Sequence, residues 1–101
     1  MKHYFKQPIT NNKEAVQFLY QLKTDNLLFH PEDDPRQVCY YNRKTKTDIP
    51  LFNNEECDYL DQRIKELYQF IQDPCQLIFN QTNLWNEHIY YLEANNLTYT
   101  I

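Results

Sequence analysis

The segment His30-Pro31-Glu32-Asp33-Asp34-Pro35 sets one imidazole within four positions of three carboxylates. Those groups could hold a divalent cation or exchange protons with a substrate. Calcium loops spread their ligands over a longer stretch and turn on a glycine, and this chain has no glycine. Carboxylates adjacent in sequence seldom converge on one ion unless other ligands arrive from elsewhere. Asp34 is therefore read as a helix N-cap, with Glu32 and Asp33 as first-turn or surface acids. His30, Glu32 and Asp33 are kept as loop candidates, and no catalytic residue, metal ligand or cofactor is assigned.

Two other groupings could bind a macromolecule. Arg36, Arg43, Lys44 and Lys46 lie close to Tyr40 and Tyr41, a mixture able to neutralise phosphates and stack bases. The chain is acidic, however, with net charge −4 and a pI of about 5.2, where nucleic-acid domains usually exceed about 9. Direct nucleic-acid binding is thus the alternative, and the segment is read first as a loop whose tyrosines pack inward. The other grouping is Glu55, Asp58, Asp61 and Glu66 on or near the polar side of one helix. A rigid row of negative charge suits a basic partner surface. The halves differ in the same sense: residues 1–46 carry eight Lys/Arg and five Asp/Glu (+3), residues 47–101 two and nine (−7). Tyr40, Tyr41, Arg43 and Lys44 complete the protein-binding candidates, since Tyr and Arg often anchor interfaces.

Composition narrows the chemistry further. Without glycine there is no P-loop and no dinucleotide fingerprint; without serine there is no nucleophile elbow or serine triad. The three cysteines show no CxxC or Cys/His ligand spacing, and Cys57 is expected in the core. His3 and His88 have no partner visible in the sequence, so the chain is not expected to be an enzyme. The N-terminus, Met1 to Lys6, has no apolar run, and no segment is long enough to span a membrane. A reduced, intracellular protein is expected.

These groups must be positioned by a single domain, 1–101. Leu, Ile, Val and Phe together number 26 of 101 residues, enough for a packed core. A helix is expected from Asn54 to Gln72, with Asn53 and Glu56 as a capping box and Phe52 and Cys57 as a hydrophobic staple. Cys57, Leu60, Ile64, Leu67 and Ile71 form its apolar stripe. A first helix, Asn12 to Thr24, has Asn11 and Glu14 at its start and turns away at Asp25-Asn26, where Asn stands in for glycine. Asp34-Pro35 and Asp73-Pro74 each open a helical turn or lead into a strand. Trp85, His88, Ile89 and Leu92 fit a further helix begun by Thr82 or Asn83. Residues 97–101 alternate as a strand, residues 2–6 are its expected partner, and Asn42 to Asp48 reads as an exposed loop. The expected class is α+β, two or three amphipathic helices with a few short strands; all-α is the alternative.

The run Leu28-Phe29-His30-Pro31-Glu32-Asp33, followed by Leu51-Phe52 before Asn53-Asn54-Glu55-Glu56, resembles small uncharacterised phage and mobile-element proteins of AT-rich bacteria. The abundant Asn, Lys, Tyr and Ile suit such a genome. The resemblance covers about half the chain and carries over no site residues. It implies a phage-type protein that binds a host protein in the bacterial cytoplasm. Inhibition of a basic, nucleic-acid-guided defence nuclease, as anti-CRISPR proteins do, is the expected activity. A nucleic-acid-binding accessory protein and a dimeric structural or regulatory phage component are the alternatives.

Overall fold

Asn11 and Asn53 start the two long helices by the same local chemistry. In the computed structural model, which describes residues 1–80 and 83–100, each asparagine side chain accepts the backbone N–H three residues on. Helix α1 runs Asn12–Thr24 and α2 runs Asn54–Phe70. At α2 the box is complete: Glu56 N–H reaches Asn53 Oδ1 at 2.8 Å, and Glu56 Oε1 accepts Asn53 N–H at 3.0 Å. At α1 only one arm forms, because the Glu14 carboxylate takes the Thr10 hydroxyl and the Asn11 amide instead. Asn53→Ala is therefore expected to cost about 1 kcal/mol in chemical denaturation. A loss within a few tenths of zero would show that this cap contributes nothing.

Asn26 does adopt the left-handed conformation, φ 60°, and ends α1. Its N–H bonds Lys23 O at 2.9 Å and Leu27 N–H reaches Leu22 O at 2.8 Å, satisfying two terminal carbonyls. With no glycine in the chain, Lys46, Asn83 and Asn96 take the other left-handed positions. Asn83 precedes α4 (Leu84–Ala94) in that conformation, and its side chain caps nothing. Thr82, the other expected cap, lies outside the described residues. Asp73 caps α3 (Pro74–Asn80), accepting Gln76 N–H at 3.1 Å.

Strands β1 (Cys39–Asn42), β2 (Thr47–Pro50) and β3 (Leu97–Thr100) form one antiparallel sheet in the order β2-β1-β3. The fold is α+β. Three expectations are corrected. Residues 2–6 are no strand: His3–Lys6 is a 3₁₀ turn packed on α2, and β3 pairs with β1. Asn42 to Asp48 is no free loop, since Asn42, Thr47 and Asp48 belong to a hairpin turning at 43–46. Asp34 caps no α-helix, because its turn passes directly into β1.

The core lies between α1, α2 and the N-terminal turn. Phe5, Ala15, Leu19, Leu22, Leu28 and Leu60 are buried at its centre, with the expected staple residues Phe52 and Cys57. Ile78 anchors α3 and Leu84 anchors α4 in the same cluster. Ile64 and Ile71 are only half-buried; on the α2 stripe, Arg63 is buried with Cys57, Leu60 and Leu67.

Candidate protein-binding surface

The loop between α1 and β1 is held at both ends by buried side chains, Leu28 and Phe29 before it and Val38 after it. Between these anchors it folds on itself. Asp33 N–H bonds His30 O at 2.9 Å, and Asp34 Oδ1 accepts Arg36 N–H at 3.0 Å. Gln37 N–H closes on Asp34 O at 2.9 Å. These turns leave Glu32 and Asp34 exposed and aim Arg36 across the surface at α2.

Arg36 joins two groups of acids that are far apart in sequence. Its Nη1 donates to Asp61 Oδ2 and its Nη2 to Asp58 Oδ1, each at 2.7 Å, and Nη1 lies 3.6 Å from Asp34 Oδ1. The hydrogen bond to Asp61, with the charges of Asp61, Asp34 and Asp58, holds the guanidinium charged above its ordinary range. A shallow groove runs between the loop and the helix, bordered by Glu32, Asp33, Asp34 and Asp61, with Ile64 and Lys65 on its α2 side. Glu55 and Asp58 lie further along α2 beside a second hollow with Tyr59. Around Arg36 and Lys65 the surface thus gathers Glu32, Asp33, Asp34, Glu55, Asp58 and Asp61. Negative charge prevails even after Arg36 is counted.

Glu66 does not belong to this surface. Its carboxylate points inward, its side chain 13% exposed, and faces Arg63 and the Ile9 N–H. Nor does the expected basic–aromatic segment stay together. Arg36 is drawn to α2, and Tyr40 is buried with its hydroxyl within 3.1 Å of both Asn26 O and Leu28 O. Tyr40 therefore has no face free to stack a base. Tyr41, half-buried, lies on the opposite face of the sheet, paired across the strands with Asp48 and Thr98. Arg43, Lys44 and Lys46 are exposed at the hairpin tip and form no ion pair among the described residues; Arg43 Nη2 only reaches Glu93 O at 3.5 Å.

Comparison with protein families, curated proteins and solved structures finds no match to this chain. What the surface can do must be read from its own chemistry. No group of three His, Cys, Asp or Glu among the described residues is placed to hold a metal ion. His30 turns away from the groove into an aromatic cluster, its ring 4.5 Å from Trp85, 5.3 Å from Phe79 and 5.6 Å from Tyr99. Tyr99 donates its hydroxyl to Asp33 and accepts the His30 N–H at 3.2 Å, clamping the loop to β3. Burial first, and then the bond to Asp33, raises the Tyr99 phenol pKa, so it stays a donor. The imidazole and the carboxylates are therefore used to fix loop shape, and the acids that remain exposed can serve recognition.

Phe79, Trp85 and Tyr99 were not singled out from the sequence as neighbours of the loop. Each had only a local signal, Phe79 after the Asp73-Pro74 turn, Trp85 on the expected helix and Tyr99 in the terminal strand. The contact itself joins His30 to residues 49 to 69 positions away. No helix among the described residues is long and apolar enough to cross a membrane.

Proposed function

We propose that this protein is a stoichiometric binder of a host protein, its acidic surface seated on a basic surface of that partner. The observation that supports this reading best is the convergence of Asp34, Asp58 and Asp61 on one guanidinium, in a groove that Glu32 and Asp33 also line. Fixed like charges cost energy when held together, and a cationic surface offsets that cost on contact. A nucleic-acid-guided nuclease presents such a surface in the channel that holds its nucleic acid, which joins this reading to the phage-type resemblance. The protein would then act by occupying that channel, with no chemistry of its own.

The test uses carboxylates that carry no structural bond. Asp58 and Asp61 are unsuitable because they hold Arg36. Glu32 and Glu55 are exposed, and their carboxylates form no hydrogen bond or ion pair among the described residues. A partner is first captured from bacterial lysate before and after nuclease treatment. Converting Glu32 and Glu55 to Lys should then slow association about tenfold at low salt, the difference shrinking as screening shortens the reach of charge to about 8 Å. Because Glu55 lies in the first turn of α2, its reversal should lower the melting temperature by about a few degrees while leaving the protein folded. An unchanged association rate in surface plasmon resonance would remove the acidic surface from the interface.

One observation favours a second reading: Arg43, Lys44 and Lys46 stand together at the hairpin tip with no carboxylate partner among the described residues. A nanomolar, steeply salt-dependent complex with RNA or DNA, weakened by Arg43→Gln and Lys44→Gln, would make the accessory-protein reading the better one.

A further inference from the structure

The sheet has two outer edges, and the alternation of its ladder bonds decides what each presents. Arg43 N–H bonds Asn96 O at 2.9 Å, which makes Tyr41–Thr98 and Cys39–Thr100 the bonded pairs of β1 and β3. Leu97 and Tyr99 therefore turn their main-chain N–H and C=O groups outward. On the other side Leu51 N–H reaches Val38 O, so Tyr40 bonds Ile49, and Asp48 and Pro50 face outward. No further strand lies beside β2 or β3 among the described residues.

The two edges are not equally open to pairing. At β2 an incoming strand would meet the Asp48 charge and the Pro50 ring, which puts a steric block where a donor should be. The β3 edge is Leu97-Thr98-Tyr99-Thr100, with no charge, no proline and two outward N–H and C=O pairs. It also has room beside it. One hollow touches Leu97, Thr98 and Tyr99 together with Ile89, Leu92 and Glu93 of α4. Leu97 and Tyr99 share the face of Tyr40, and Thr98 lies on the face of Tyr41. A hollow that reaches both faces of one strand runs along its edge.

We infer that the β3 edge pairs with the β3 edge of a second copy of this chain, joining two three-stranded sheets into one. This contact is independent of the acidic surface, which lies on α2 and the 30–34 loop. The strand is self-complementary about Thr98. With a twofold axis there, Leu97 exchanges both main-chain bonds with Tyr99 of the second copy, and its own Tyr99 does the same in return. Thr98 meets Thr98 on the outer face, a favourable cross-strand pair, and each Leu97 packs beside the opposite Tyr99.

Charge and area fit a second copy. The chain carries −4 overall, so copies repel over most of their surface. Around this hollow the charged residues are one of each sign, Arg43 and Glu93. Weak, reversible interfaces bury up to about 600 Å² per copy. That is roughly one tenth of the 6113 Å² surface, the scale of one strand edge with one flank of α4. The dimer is therefore a reversible one.

The experiment uses the intact protein. Sedimentation velocity from about 10 µM to about 1 mM should show a monomer–dimer equilibrium, as mass action requires of a weak interface. Amide exchange at Leu97 and Tyr99 should slow as concentration rises, while that at Asp48 stays constant. Thr98→Lys and Thr98→Glu each set like charges face to face at the axis, and each should weaken the dimer at least about tenfold. Mixed together, the two variants should associate again, because opposite charges then meet. NMR spectra with native dispersion would show that each variant is folded.

A monomer at every concentration would overturn the inference. So would a dimer that both Thr98 variants leave unweakened, or a mixture of them no tighter than either alone, since the axis would then lie elsewhere. A monomer whose Leu97 and Tyr99 amides are protected only by an added extended peptide of another sequence would give the edge to a partner segment and equally overturn the dimer.

Discussion

Replacing Glu66 with alanine is expected to remove about 3–5 kcal/mol of stability, the usual cost of stranding a buried charge. Arg63 is 6% exposed in the core-facing stripe of α2. Its Nη2 donates to Glu66 Oε2 at 3.1 Å, while Nε lies 3.0 Å from Oε1 as an ion contact off the hydrogen-bond line. Nη1 is buried with no partner among the described residues, so the guanidinium depends heavily on this one carboxylate. Glu66 also accepts the Ile9 N–H at 2.7 Å, tying the N-terminal segment to α2 across 57 residues. Alanine at 66 strands a cation and a backbone donor together.

Glu66→Gln keeps an acceptor for Ile9 and should lose less. A paired change of Arg63 to Met and Glu66 to Leu removes both charges and should recover the part of the loss owed to the stranded cation, while the Ile9 N–H stays unpaired. Urea denaturation of the three variants decides the point. A loss below about 1 kcal/mol for Glu66→Ala would place Glu66 with exposed surface acids.

That prediction also marks where sequence reasoning stopped. Spacings of three and four put Ile64 in the seam of α2 and Glu66 outside it. The buried stripe instead passes through Cys57, Leu60, Arg63 and Leu67, with Ile64 at its margin beside the groove. A polar residue at a stripe position looks solvent-facing until its counter-charge, one turn further along, is seen to be buried as well. The starts of α1 and α2 were legible because an asparagine and a backbone N–H three residues apart need nothing from the rest of the chain.

Strand pairing was not legible. Tyr4 and Phe5 would face opposite sides of a strand, yet the core takes both rings. Phe5 is fully buried, and Tyr4 meets Phe5 edge-on at 4.9 Å and Phe18 at 5.6 Å, which a 3₁₀ turn permits. The β1–β2 hairpin was hidden because every β2 residue is exposed and shows no alternation; its local sign was Asn42, whose side chain accepts Lys44 and Thr45 N–H. Of the candidate site, each acidic group was visible by itself. Their union was not, since Arg36 reaches 22 and 25 residues along the chain to make it.

His88 should make the fold sensitive to mild acid. It is 1% exposed on the inner face of α4, and burial lowers its pKa to about 4 from the ordinary 6.5. Lys23 on α1 acts in the same direction, and the Leu28 carbonyl opposes it. Tyr40 on β1 lies 2.6 Å from Nε2, and Tyr91 stacks over the ring. The Tyr40 hydroxyl has main-chain carbonyls to donate to, so the consistent assignment puts the imidazole proton on Nε2 and leaves Nδ1 as a buried acceptor with no partner among the described residues.

Protonation must place a charge on that buried Nδ1, which the native state resists. Between pH 6.5 and 4 the unfolded chain takes up a proton at this residue that the folded chain refuses. Stability from this group is complete above about pH 6.5 and declines as pH falls, by roughly 3 kcal/mol at pH 4. Other groups contribute to the pH dependence as well, so the measurement is a difference. Urea unfolding of the unmodified protein and of His88→Leu, at pH 7 and at pH 4.5, should show the first losing about 2–3 kcal/mol more than the second. His3 and His30 are present in both proteins and cancel. Equal losses in the two proteins would mean that the buried imidazole accepts its proton without cost, and that Nδ1 has a partner or a path to water.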